Sequence, residues 1–173
     1  MSPSMYDLSV PVFLRGLGAL SGLMDKAEAE GFDTAALMTA KLAEDMRPFP
    51  DQIRMACFSP RGAVARLAGI DWPKTADDEA DFAQLRATIK LTTDFLNSIT
   101  PEQVEGSETR EIVLKLPTLE LKFDGAGYLT SFAIPNFYFH LTTAYAILRN
   151  QGVALGKRDF LGQLALTQPP VMS

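Results

Sequence analysis

The stretch from about Tyr128 to Asn150 is apolar on almost every side of a helix. A helix of that kind has to be enclosed, so the rest of the chain must supply amphipathic partners, and the segment is expected at the centre of the packing. Pro135 lies inside it, where it frees the carbonyl of Ser131 and predicts a bend. Gly152 ends it.

Three earlier segments carry the apolar stripe that such partners need. From Val10 to about Glu30 the stripe is Val10, Phe13, Leu14, Leu17, Leu20, Met24 and Ala27, with Ser9 as the expected cap, Pro11 in the first turn and Gly31 as the stop. Its glycines Gly16, Gly18 and Gly22 suit either a close neighbouring helix or a smooth face for a twofold partner. After a short turn at Asp33–Ala40, a second long helix is predicted from about Pro50 to Gly69, with Ile53, Ala56, Cys57, Val64 and Leu67 inward. Pro60 predicts a kink there, or a restart capped by Ser59. A third follows the loop Asp71–Thr75. Thr75, Asp77, Asp78, Glu79 and Asp81 suit its positive end, and Phe82, Leu85, Ile89, Thr93 and Leu96 face inward.

Thr100-Pro101-Glu102-Gln103 reads as a single capped turn, after which the period changes from helical to alternating. Ile112, Leu114 and Leu116 share one face, and so do Leu119, Leu121 and Phe123, which is the pattern of a β-hairpin. Two strands alone are marginal in water, so the ribbon should lie over one end of the helices. Asp124–Gly127 is read as the turn into the last long helix. The fold expected is mainly α: one domain over 1–173, a four-helix bundle with a small two-stranded β-hairpin between the third and fourth long helices. Gly156–Gly162 should dock as a terminal turn, and Gln168-Pro169-Pro170 should fray.

Charge narrows the partners. Sixteen basic against 21 acidic residues give a net charge of −5, and neither half of the chain is basic, so nucleic acid is not expected. A single cysteine makes no internal disulfide, the N-terminal residues lack the basic region of a signal peptide, and no apolar run is long enough for a bilayer. The expected location is cytoplasmic.

Chemistry is scarcer. A zinc or iron site draws three or four ligands from histidine, cysteine and carboxylates, and this chain holds one histidine, His140, and one cysteine, Cys57. His140 is read as a buried or half-buried ring bonded to a neighbouring helix, with a proton-transfer role in a pocket as the functional alternative. Asn136, His140 and Thr143 form one polar line on an otherwise apolar helix. Cys57 falls on an inward stripe and is read as inert, the alternative being an exposed thiol made nucleophilic by the nearby Arg54 and Arg61. Asp45, Arg47, Asp51, Gln52 and Arg54 cluster at the start of the second long helix and read as a solvated, salt-bridged group. The pairs Asp77–Asp78 and Glu79–Asp81 are assigned to the helix start alone.

The blocks Leu129–Arg149 and Gly156–Gly162, with Gly62–Gly69 in the second long helix, resemble a bacterial domain-of-unknown-function family in the DinB/YfiT-like superfamily, over roughly Met5 to Leu164. The resemblance implies a bundle that is often a homodimer. It also implies, in some members, a divalent metal held by three histidines, one near the start of the second helix and two a turn apart on the fourth. Asn136 and Ala144 stand one turn either side of His140, and the second helix has no histidine, so neither metal nor other cofactor is expected. The reading that results is a homodimer binding a small, partly apolar ligand, or a protein partner, between its helices through His140, Asn136 and Tyr138. The alternative is a metal-assisted transferase with an atypical site built from His140, Asp45 and a second subunit.

Overall fold

The computed structural model describes residues 3–164. Four long helical segments make the bundle: α1 (Met5–Ala29), α3 (Phe49–Ala68), α4 (Phe82–Asn97) and α7 (Ile134–Asn150). Short pieces join them: α2 (Thr34–Thr39), α5 (Pro101–Val104), a 3-10 turn (Ser107–Thr109) and α6 (Gly125–Tyr128), with α8 (Lys157–Leu161) after α7. Strands β1 (Ile112–Lys115) and β2 (Glu120–Phe123) pair antiparallel with Ile112 opposite Phe123 and Leu114 opposite Leu121. The helical periods and the alternation therefore produce the elements expected of them. Among the described residues no helix is long and apolar enough to cross a membrane.

Several boundaries differ, each for a local reason. Ser9 does not cap α1. The helix starts a turn earlier at Ser4, whose hydroxyl accepts from the Asp7 N–H while the Asp7 carboxylate accepts from the Ser4 N–H, a complete capping box. Ser9 is buried, its hydroxyl donating to the Met5 carbonyl at 2.6 Å, and Pro11 lies inside the helix. Likewise α3 runs unbroken through Pro60, so Ser59 restarts nothing. Its hydroxyl instead donates across to the Ala133 carbonyl at 3.2 Å. Thr75 is not the cap of α4; Asp81 is, accepting from the Gln84 N–H at 2.8 Å. On α4 the buried threonines are Thr88 and Thr92, while Thr93 is only half-buried. Gly31 and Gly69 do stop their helices, both at positive φ, and Gln103 accepts from the Thr100 N–H as the capped turn requires.

The last helix begins at Gly125, with Asp124 as cap, three residues before its expected start. It then widens into a π turn over Leu129–Ala133, where the Ile134 N–H donates to the carbonyl of Leu129 five residues back. Pro135 cannot donate and its ring would strike the preceding turn of an α-helix, so the wide turn accommodates it. The Thr130 hydroxyl donates to the Ala126 carbonyl, and that of Ser131 to Gly127.

α7 is not at the centre. It packs along α1 and α3, α4 packs along the same two, and α4 and α7 stand on opposite sides. The apolar residues that face away from α1 and α3 are taken up elsewhere. Phe132 meets Phe123 of the hairpin, Tyr145 meets Phe160 of α8, and Phe139 stays 56% exposed. The core lies between the four segments, with Phe13, Leu17, Leu20, Phe49, Ile53, Leu67, Leu85, Leu96 and Phe137 fully buried. Each such side chain contributes about 1.5–3 kcal/mol. The three glycines of α1 part company here. A Cβ on Gly16 would fall 2.4 Å from the Phe137 ring, so that glycine admits Phe137 to the α1 backbone, whereas Gly18 and Gly22 have nothing within 4 Å.

The hairpin covers the N-terminal end of the last helix: Ile112 and Leu114 enter the core, and Phe123 packs on Tyr128 and Phe132. Leu116 and Leu119 lie at its tip and are exposed, although the alternation assigns them to the buried face. α8 docks on α1 through Lys26 and Asp159. The Gln168-Pro169-Pro170 segment lies outside the described residues.

Candidate functional site

Where α3 and α7 pass antiparallel, the start of α3 comes level with the middle of α7. That places Gln52 against His140, 88 residues apart in sequence. The amide nitrogen Nε2 of Gln52 donates to the Arg47 carbonyl at 3.0 Å, which turns its Oε1 toward His140 Nδ1, 2.9 Å away. An amide oxygen only accepts, so Nδ1 must carry the ring proton. The other nitrogen, Nε2, is left with a lone pair. It has no hydrogen-bond partner among the described residues. Nor is it one of their sealed, unpartnered side-chain polar atoms, which are Arg61 Nη1 and Ser107 Oγ. The residue as a whole keeps 8% of its surface.

Burial, reinforced by the positive charge of Arg47, holds the His140 pKa below its ordinary value. The ring is therefore neutral near pH 7, an acceptor at Nε2 and a donor only toward Gln52. A depressed native pKa means the unfolded chain takes up the proton first, so stability falls as pH drops through about 6.5 toward the lower native value. A His140→Gln variant lacks that proton uptake. Urea midpoints from roughly pH 8 down to roughly pH 5.5 are expected to fall more steeply for the natural chain than for this variant. Parallel profiles would rule out a buried neutral ring.

The other sequence candidates separate. Asn136 lies one turn before His140 on the same stripe, half-buried, its side chain without a bond among the described residues. Thr143 is buried, and its hydroxyl is spent on the Phe139 carbonyl at 2.8 Å. Tyr138 is two residues from His140, about 200° round the helix. It faces α1, where its hydroxyl accepts from Arg15 at 3.0 Å. The structure thus brings Gln52 and Asn136 to His140 and sends Tyr138 elsewhere. Cys57 is wholly buried and its thiol is pushed up to about 12, chiefly by burial, so it is no nucleophile.

The charged cluster is only partly the solvated group it resembled. Arg47 is exposed and reaches Asp51 at 3.3 Å, and Asp45 is exposed on the loop before α3. Arg54, however, bridges Asp51 at 2.7 Å and Glu79 at 2.6 Å, and Glu79 is buried, also receiving the Thr88 hydroxyl. Glu79 therefore does not merely serve the helix start. Arg61, expected beside Cys57, is fully buried; it donates to the Cys57 carbonyl and the Thr75 hydroxyl, tying the loop before α4 to α3. Its signal was spacing: Arg61 is four residues after Cys57 and three before Val64, a charge on an apolar stripe. Gln52, four residues before Ala56, gave the same signal.

The three-histidine metal site does not fit these donors. One imidazole nitrogen is free, the facing side chain is an amide already bonded twice, and Ala144 offers nothing. Among the described residues no three of His, Cys, Asp and Glu cluster to hold a metal ion.

Comparison with known proteins agrees with the architecture. A family described as "Domain of unknown function (DUF1993)" matches residues 5–161. The crystal structure of a DinB family member protein from Shewanella denitrificans is similar over 95% of this chain and 96% of that one, with 34% identity and a TM-score of 0.86. No curated protein matches.

Proposed function

Given that the chain belongs to the DUF1993 family and has a DinB-like fold, we propose that it binds a small, partly apolar molecule beside α7 through the outward nitrogen of His140. The observation that carries this reading is the relay from the Arg47 carbonyl through Gln52 to Nδ1, which fixes the tautomer and leaves Nε2 as an acceptor at the surface. A purely structural imidazole would be bonded at Nδ1 in the same way; what favours a ligand is that Nε2 is neither bonded nor sealed. The ligand is one with a hydroxyl or amide donor on an apolar body. Phe139, edge-on to the His140 ring at 5.1 Å and largely exposed, offers the apolar surface, and Asn136 offers both a donor and an acceptor.

Because His140 is the only histidine, its ring resonances are unambiguous in the NMR spectrum of the whole chain. Screening neutral alcohols and amides is expected to yield compounds that shift the His140 ring signals saturably and no longer bind the His140→Ala variant. Binding that is equal in that variant, or a ring that no compound perturbs, would remove His140 from any site.

A further inference from the structure

Fourteen residues along α3 from Gln52, about 21 Å at the helical rise, Arg66 occupies a different kind of environment. Its guanidinium carbon sits 4.8 Å from the centroid of the Trp72 ring and 6.0 Å from that of Tyr128, and its Nη1 donates to the Tyr128 hydroxyl at 3.4 Å. Space is kept for the group by Gly62, where a Cβ would fall 2.5 Å from Nη1. Arg47, Arg54 and Arg86 each hold a carboxylate, yet among the described residues none bridges to Arg66, in a chain with an excess of acid. Tyr128 does not neutralise it, since burial raises the phenol above its ordinary pKa. Phe58, 43% exposed, meets Trp72 edge-on with centroids 6.5 Å apart and extends the aromatic surface.

A guanidinium held against a ring has its plane fixed, and with Nη1 given to Tyr128 the Nε and Nη2 N–H groups, which have no partner among the described residues, are the pair left to receive a planar oxyanion. We propose that Arg66, Trp72 and Phe58 form a second binding site, for the carboxylate of a small aromatic acid: the carboxylate on the Arg66 edge, the ring against Trp72 and Phe58. This site is independent of His140.

Trp72 is the chain's only tryptophan, so its fluorescence reports on this site alone. The probes are benzoate, its neutral analogue benzyl alcohol, and acetate, each titrated into the full chain. Benzoate is expected to change the emission saturably, with the other two binding about tenfold more weakly or worse. Gly62→Ala provides a variant that keeps the fold, since alanine favours helix over glycine while its methyl displaces the guanidinium; benzoate binding is expected to weaken about tenfold there and in Arg66→Gln. His140→Ala should leave it unchanged. No saturable response in the natural chain, equal response to benzoate and benzyl alcohol, or undiminished binding in Gly62→Ala would show that Arg66 only clamps the Trp72 loop to α3, and would overturn the proposal.

Discussion

Alanine in place of Gly125 is expected to destabilise the protein by about 3 kcal/mol or more, the upper end of what an added methyl costs in a packed interior. Gly125 opens α6 beside the 3-10 turn, and a Cβ there would stand 1.8 Å from the Ser107 carbonyl oxygen and 3.2 Å from Leu67 Cδ2. The first obstacle is backbone. Ser107 is wholly buried and its carbonyl accepts from the Arg110 N–H at 3.1 Å, so the oxygen cannot simply turn aside. Relief requires the 3-10 turn to move off α6, which also unseats the strands that follow it. Gly125 has no positive φ, so close approach rather than backbone conformation demands the glycine. Gly22→Ala supplies the control, because nothing lies within 4 Å of a Cβ at Gly22. That change is expected to stabilise α1 by up to about 1 kcal/mol. Urea unfolding of the two variants measures both; a Gly125→Ala midpoint matching the natural chain would mean the contact with Ser107 is not there.

Features set within a few residues could be read directly from the chain. The three- and four-residue spacing of Phe13, Leu17, Leu20 and Met24 and the two-residue spacing of Ile112 and Leu114 found their elements, and Gly31, Gly69 and the Thr100–Gln103 box found their ends. Competing local solutions were harder. Ser4 and Ser9 both precede helical residues, and only Ser4 has an acid three residues on to complete a box. Placing α7 at the centre assumed that every apolar residue on a helix faces another helix. Here the hairpin and α8 cover part of that surface, and Phe139 is left to solvent.

The candidate site was legible only in part, because its bonds are long-range. His140 and Asn136 stand out as polar residues in an apolar run, and helical spacing puts them on one stripe. The same spacing turns Tyr138 away, which a list of nearby polar residues does not show. Gln52 shares no local pattern with His140. Their pairing follows from the antiparallel packing of α3 on α7, which also brings Ser59 to the Ala133 carbonyl. Glu79 was concealed by its acidic neighbours, since only its partner, 25 residues away, distinguishes it from them.

That partnership is expected to be worth enough to detect by removing one side of it. Arg54 gives Nε to the Glu79 carboxylate at 2.6 Å and Nη2 to the Glu79 carbonyl at 2.9 Å, and the Glu79 side chain keeps only 7% of its surface. Arg54→Met leaves that carboxylate buried with the Thr88 hydroxyl alone, and breaking such a pair costs about 3–5 kcal/mol when fully enclosed. Because Arg54 itself retains 19% exposure, a loss near the lower figure, about 3 kcal/mol, is expected at neutral pH. Acid should narrow the difference. Burial alone would raise the Glu79 pKa, but the bonds from Thr88 and Arg54 outweigh it and hold the native value below the ordinary one. Its stabilising contribution is thus complete above the unfolded value of about 4.3 and is lost as pH falls through the native one. In Arg54→Met the balance reverses: burial raises the native pKa, and protonation then favours the folded state. The natural chain therefore weakens toward about pH 4 while the variant gains relative to it. Arg54→Met combined with Glu79→Leu removes the stranded charge and is expected to recover most of the loss, since apolar replacements of a buried pair are often close to neutral. Urea midpoints for the natural chain, both single variants and the double variant at two pH values close the cycle. Additive losses, or a difference between the natural chain and Arg54→Met that does not shrink in acid, would show that Arg54 holds Asp51 and leaves Glu79 unpaired.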